Sequence, residues 1–314
     1  MLAVAAGLVI LSSAIAQRDR DVARAGRFHY SGAAPSSLRE ARGERGKNEF
    51  VAGFESGTYK PWKDLQYEYD RPQSDSFQIV TSPVRQGRYA AKFIARQGYS
   101  PFGYGEGTEL CCGPTPHEVE GSDYWYAWST LFPIDWRPPY RWSIFAQWHS
   151  DFGLPPPLSL HVSYTSVSVA LRSGAVTKET CDSSGCGNWR HNRIQRILDT
   201  ISTGQWNDFV VHVRWSAYAK SSVEVWHRLA YQPRFRKVMS LFGVPTLQRY
   251  GTTTSKNWFK LGLYRGSFCS QPTQLGCTSP LGVQPDSVVY HDSFVRATAP
   301  FPWCRECRSP SPAS

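Results

Sequence analysis

From Glu49 to about residue 300 the chain breaks into short runs of apolar residues, each closed by a cluster of Gly, Pro, Asn or Asp. The clearest runs are 90–95, 124–132, 142–148, 158–164, 165–171, 208–215, 223–229, 259–264 and 288–296. They are rich in β-branched and aromatic residues, and no helical period of 3.6 runs through them. A chain with many strands and few helices has to bury sheet against sheet, as a sandwich or a barrel. Residues 231–250 depart from the pattern and are expected to form a helix or a long loop. At 41% hydrophobic content, 314 residues hold enough apolar surface for one large core.

The ends read differently. Residues 2–16 are apolar or small and uncharged, and Ala14-Ile15-Ala16 is an A-x-A cleavage pattern, so 1–16 reads as a signal peptide. The stretch is short for a membrane helix, and no second apolar run is long enough to span a bilayer. Residues 17–48 hold few large apolar side chains and read as a disordered linker or pro-segment. One domain then covers 49–300, with a short tail at 301–314. Eight cysteines suit export. Cys181/Cys186 and Cys269/Cys277 are close pairs in loops and are expected to be disulfides. The pairing of Cys111, Cys112, Cys304 and Cys307 is open on spacing alone, with a zinc site as the competing use. The net charge is +10, but residues 17–48 contribute eight Lys/Arg against four Asp/Glu, leaving about +6 for the rest. Such an excess points to an anionic partner. An acidic glycan fits an exported chain. A nucleic acid partner lacks a readable motif, and the expectation is a monomer with no nucleic acid or membrane partner.

Two runs place polar residues at even spacing. In 144–149, Gln147 and His149 are two apart, so a strand sends both to one face and Ala146 and Trp148 to the other. In 260–264, Lys260, Gly262 and Tyr264 share a face, while Leu261 and Leu263 turn to the core. Gly262 between two long polar side chains leaves a gap where a ligand can approach the backbone. Any half-buried antiparallel sheet alternates in this way, so neither run is informative alone.

Together, Gln-x-His and Lys-x-Gly-x-Tyr resemble the signatures of jelly-roll polysaccharide lyases: alginate lyases, glucuronan lyases and heparin lyase I. Further pieces resemble that group in order. They are Phe54-Glu55-Ser56-Gly57, the 87–93 segment Gly-Arg-Tyr-Ala-Ala-Lys-Phe, Thr108-Glu109-Leu110, the 204–208 turn Gly-Gln-Trp-Asn-Asp, and the run from Val289 to Arg296. Coverage is about 50–297. The resemblance implies an all-β, concanavalin-like β-jelly-roll sandwich of two antiparallel sheets. It implies a secreted, extracellular enzyme that cleaves a uronate-containing acidic polysaccharide by β-elimination. His149 and Tyr264 would be base and acid, with Gln147 and a basic residue neutralising the substrate carboxylate and Lys260 completing the catalytic group. Glu109 would contact substrate. The family's Arg-Thr-Glu-Leu motif has an arginine where this chain has Gly107. Arg88, Lys92, Lys260 and Arg265 are the candidates to replace that charge.

No organic cofactor is expected. Glu55 and Asp292 are candidates to share a structural calcium. Trp125, Trp128, Trp142, Trp148 and Trp206 are candidates to stack on sugar, with Trp148 the weakest because it opposes Gln147 and His149. Two rival readings stand beside the lyase. One is a carbohydrate-binding protein on the same jelly roll, favoured by the missing arginine. The other is a glycoside hydrolase, disfavoured because no Glu-x-Asp-x-x-Glu strand pattern is present.

Overall fold

The computed structural model describes residues 48–308 except 101–104, 141, 177–180, 183–184, 187–190 and 268–282. The leader, most of the 17–48 segment and the Cys269/Cys277 loop lie outside the described residues. The strands are β1 Asn48–Ala52, β2 Asp64–Gln66, β3 Phe77–Val80, β4 Ala90–Ala95, β5 Gly105–Cys111, β6 Asp123–Leu131, β7 Ser143–Ser150, β8 Leu158–Ser163, β9 Ser166–Ala175, β10 Cys181–Asp182, β11 Gly185–Cys186, β12 His191–Leu198, β13 Trp206–Arg214, β14 Ser221–Leu229, β15 Arg236–Val244, β16 Gln248–Tyr250, β17 Thr253–Thr254, β18 Asn257–Gly266 and β19 Ser287–Ala297. Among the described residues no helix is long and apolar enough to cross a membrane.

Two large sheets form a jelly-roll sandwich. One runs β15-β14-β13-β6-β19-β4-β3, with β1 also paired to β19. The other runs β17-β16-β9-β8-β7-β18-β5-β2, with β12 also paired to β9. Pairing is antiparallel throughout except between β16 and β9, which are parallel. Because successive side chains alternate, each strand sends one set inward. Phe145, Trp148, Phe259, Leu261 and Leu263 from the second sheet meet Tyr126, Trp128, Phe209 and Phe294 from the first. Phe259 sits at the centre, with ring centroids 4.7 Å from Phe294, 4.8 Å from Trp148 and 5.6 Å from Trp128. Each such buried ring stabilises the sandwich by roughly 1.5–3 kcal/mol. His291 crosses between the sheets, its Nε2 donating to the Gly262 carbonyl at 2.9 Å. Burial lowers its pKa to about 4, so it crosses uncharged.

One expectation changes here, and one open pairing closes. Residues 231–250 form neither a helix nor a long loop. They contribute β15, where buried Met239 and Leu241 alternate with exposed Ser240 and Phe242, and then β16. Short apolar runs do not distinguish helix from strand by sequence, and pairing with β14 decides it. The four open cysteines pair locally, as Cys111–Cys112 and Cys304–Cys307. They are therefore not zinc ligands. The β10–β11 register sets Cys181 across from Cys186, although their side chains lie outside the described residues. Glu55 and Asp292, the calcium candidates, both accept backbone hydrogen bonds. Glu55 accepts the backbone N–H of Arg88, and Asp292 accepts those of Arg85 and Gln86. Both carboxylates close on one turn. Burial lifts the pKa of Asp292 to about 7.

The outer face of the first sheet carries a closed charge network. His212 bonds Asp123 at 2.7 Å and Glu224 at 3.3 Å, Lys237 bonds Glu224 at 2.6 Å, and Trp125 stacks on the imidazole at 4.0 Å. Burial opposes the charge on His212, but the hydrogen bonds to Asp123 and Glu224 outweigh it and raise its pKa. A group with a raised folded pKa contributes stability that is complete below its unfolded value, near 6.5, and lost as pH rises through the folded value. The melting-temperature gap between the unmodified protein and His212→Gln should therefore be widest near pH 6 and shrink toward pH 9. A gap that stays constant with pH would show that His212 is not held charged.

Candidate active site

Strand alternation on β18 puts Trp258, Lys260, Gly262 and Tyr264 on the outward face of the second sheet, because Phe259, Leu261 and Leu263 enter the core. On β7 the neighbouring Trp148 enters the core, so Gln147 and His149 turn outward. The register sets Gln147 beside Lys260 and His149 beside Trp258. On the other side of β18, β5 sets Glu109 beside Gly262 and Gly107 beside Tyr264. Four of the expected site residues thus fall on one face of two adjacent strands, and Glu109 joins them from a third.

Glu109 ties the centre together. Its Oε2 meets the Lys260 ammonium at 2.5 Å, and its Oε1 accepts a hydrogen bond from the Gln147 amide. All three are buried, with exposures of 3%, 5% and 2% for Glu109, Lys260 and Gln147. Lys260 and Glu109 therefore form a nearly neutral pair. Gln147 has its amide orientation fixed and keeps a second N–H.

His149 and Tyr264 stand at opposite ends of this cluster, and both are half-buried. The His149 Nδ1 lies 3.0 Å from the Ser150 carbonyl. A carbonyl only accepts, so the proton is on Nδ1 and Nε2 carries the lone pair. Burial lowers the pKa of His149, and the charge on Lys260 lowers it further. The ring stacks on Trp258 at 5.6 Å, and His117 lies 5.7 Å from the same indole. Tyr264 packs edge-on to Trp142 at 5.1 Å. Of the five tryptophans considered, only Trp142 is exposed, at 41%. Trp125, Trp128, Trp148 and Trp206 are buried, and of these Trp128 and Trp148 pack between the two sheets.

The glycines on this face behave differently from the sequence expectation. A Cβ on Gly262 would lie 2.2 Å from the Thr108 carbonyl oxygen, so the space beside it holds β5 and not a ligand. Gly107 has φ +148°, and a Cβ there would lie 2.0 Å from the Leu263 carbonyl oxygen. The two strands approach so closely that no side chain fits at 107. On this backbone path an arginine at 107 has no room.

Three of the candidates to replace that charge do not reach this face. Arg88 lies in the loop before β4, its guanidinium 5.5 Å from the Tyr89 ring. Lys92 is on β4 of the other sheet, where Ala91 and Phe93 take the core positions and Lys92 points outward. Arg265 is adjacent to Tyr264 and so has the opposite orientation. It is fully buried, with Nε 3.0 Å from Glu106 and a terminal nitrogen 3.0 Å from Ser287. Only Lys260 remains of the four.

Sequence reasoning missed the far side of the face. Ser159 pairs with Gln147 across β7 and β8, and its hydroxyl lies 2.9 Å from His161 Nε2. Burial, then the charge on Arg172, lowers the pKa of His161 to about 3. The signal was present in the same alternation: Ser159 and His161 oppose the core residues Leu158, Leu160 and Val162.

Comparisons with known proteins give the family and the fold. The family model described as polysaccharide lyase matches residues 54–295. Among solved structures, the endo-β-1,4-glucuronan lyase from the fungus Trichoderma reesei superposes with a TM-score of 0.57 at 17% identity, over 81% of this chain and 96% of that one. The marine PL-14 alginate lyase from Aplysia kurodai gives 0.53 at 9% identity, over 80% and 98%. The catalytic domain of a glycoside hydrolase family 131 protein from Coprinopsis cinerea gives 0.50 at 12% identity, over 81% and 96%. At such identities the superpositions speak to fold alone, and that fold also hosts a hydrolase. No curated protein matches the chain.

Proposed function

The chain belongs to the polysaccharide lyase family, and from that premise we propose that it is an exported enzyme cleaving a uronate-containing acidic polysaccharide by β-elimination on the face built by β5, β7 and β18. The observation that carries the proposal is the Gln147–Glu109–Lys260 cluster flanked by His149 and Tyr264. Export rests on the leader-like residues 2–16 and the eight cysteines.

The proton at C5 of a uronate is weakly acidic, and its removal spreads a second negative charge onto the carboxylate. That charge has to be damped first. The free N–H of Gln147 donates to the carboxylate, and Lys260 adds positive potential from below, moderated by Glu109. A base then takes the proton. Neutral His149 offers its Nε2 lone pair, and its lowered pKa keeps it unprotonated at neutral pH. Tyr264 donates its phenolic proton to the leaving glycosidic oxygen, and Trp142 beside it offers an exposed ring to a sugar face. When the proton and leaving group lie on the same side of the ring, Tyr264 serves as both base and acid. C5–H and C4–O break, a C4–C5 double bond forms, and no water is added.

The test is a panel of uronate polymers, glucuronan, alginate and heparin-like chains among them, followed by the ultraviolet absorbance of the unsaturated uronate. At least one polymer should yield that absorbance. Tight binding with no such product from any of them would assign the chain to the carbohydrate-binding alternative.

A further inference from the structure

Three cations are buried among the described residues, and each faces a carboxylate: Arg265 with Glu106, Arg296 with Glu118, and Lys260 with Glu109. Arg172 on β9 is different. Val167, Val169 and Leu171 enter the core, so Arg172 points to the same outward face as Gln147 and His149. Its backbone N–H donates to the Pro157 carbonyl at 2.8 Å. One step past the aligned Trp148–Leu158 and Leu158–Leu171 pairs, His149, Pro157 and Arg172 therefore lie in one row across the sheet. Arg172 stands two strands from His149, about 10 Å away. It is half-buried, and among the described residues it makes no ion pair. Burial weakens its hold on its proton. The nearby His161 is neutral and supplies no competing charge.

A guanidinium withdrawn from water without an acid beside it is costly unless an anion completes it. We propose that Arg172 is the anion-binding residue of a second subsite, taking the carboxylate of a uronate other than the one that loses its proton. This deepens the polysaccharide lyase reading given above and rests on it. The planar fork of the guanidinium matches a carboxylate in bidentate fashion. Two strand spacings separate Arg172 from the base, so a single sugar ring does not serve both. The positive charge missing at Gly107 is then provided in part from the opposite flank of the face. The polymer would need more than one uronate within its bound length, and chains with isolated uronates would be poor ligands.

The experiment is equilibrium binding of a uronate homopolymer to the full chain in a Tyr264→Phe background, so that cleavage does not interfere, alone and combined with Arg172→Gln or Arg172→Lys. Arg172→Gln should weaken binding roughly ten- to a hundredfold, the range for a hydrogen bond to a charged group. Arg172→Lys should recover part of it, and the salt dependence should become shallower with the charge gone. The melting temperature should not fall, since no internal ion pair is lost. Unchanged affinity in Arg172→Gln, or no binding of any uronate polymer, would overturn the proposal. So would equal, Arg172-dependent binding of a sulfated polymer that lacks carboxylates. Failure of the lyase reading looks different: the unmodified protein would bind the polymer, with the Arg172 effect intact, and release no unsaturated product.

Discussion

Tyr264→Phe should lower the rate of unsaturated-product formation by roughly a hundred- to ten-thousandfold, the usual contribution of a general acid–base group. Phenylalanine keeps the ring against Trp142, and the half-buried position loses only a hydroxyl. Any stability change should then stay near 1 kcal/mol. Melting temperature and polymer affinity should therefore be close to those of the unmodified protein while turnover collapses. A Tyr264→Phe protein that still cleaves at a tenth of the original rate or better would remove Tyr264 from the chemistry. The companion variant divides the roles. His149→Gln should be comparably damaging if the imidazole is the base, and much milder if the phenol performs both proton transfers. The arrangement of the site makes the comparison informative. His149 and Tyr264 lie at opposite ends of the Gln147–Lys260 cluster, so removing one leaves the other's surroundings in place.

Restoring the family's arginine through Gly107→Arg should not rescue or raise activity but should cost about 3 kcal/mol or more of stability. A positive φ at a non-glycine residue costs on the order of 1–3 kcal/mol by itself. Here the first side-chain carbon also meets the Leu263 carbonyl oxygen at 2.0 Å, an atom of the adjacent strand's backbone. Relief requires β5 and β18 to separate, which disturbs Glu109 and with it both Lys260 and Gln147. Gly107→Ala should show most of the same loss, because the Cβ and not the guanidinium is the offender. Denaturant unfolding of the two variants checks this, with activity measured below their melting transitions. A stable and more active Gly107→Arg protein would mean that the strands part easily and that the charge had simply been missing.

Arg265 shows how far parity alone reaches. Lys260, Gly262 and Tyr264 on one face put residue 265 with Leu261 and Leu263 on the other, and the structure finds it there, beneath the sheet and paired to Glu106. Its exclusion from the site was therefore legible before any fold was known. The same alternation carried Ser159, His161 and Arg172 onto the site face, although no recognisable motif drew attention to them. By contrast, nothing local indicated that β15 would be a strand, since its apolar run suits either period until β14 pairs with it.

The sequence by itself determined which side chains share a face, because that follows from the two-residue repeat of an extended chain and needs no knowledge of neighbours. It also limited the fold to a sandwich or a barrel, through many short runs that can be buried only sheet against sheet. Tertiary structure alone decided which strands lie side by side. That choice makes Glu109 the common partner of Lys260 and Gln147, closes the space at Gly107 and Gly262, removes Arg88 and Lys92 to other surroundings, and leaves Arg172 facing outward with no ion pair among the described residues. These facts depend on contacts between residues tens to more than a hundred positions apart, and on the few ångströms by which two backbones approach. A local repeat carries no information about either.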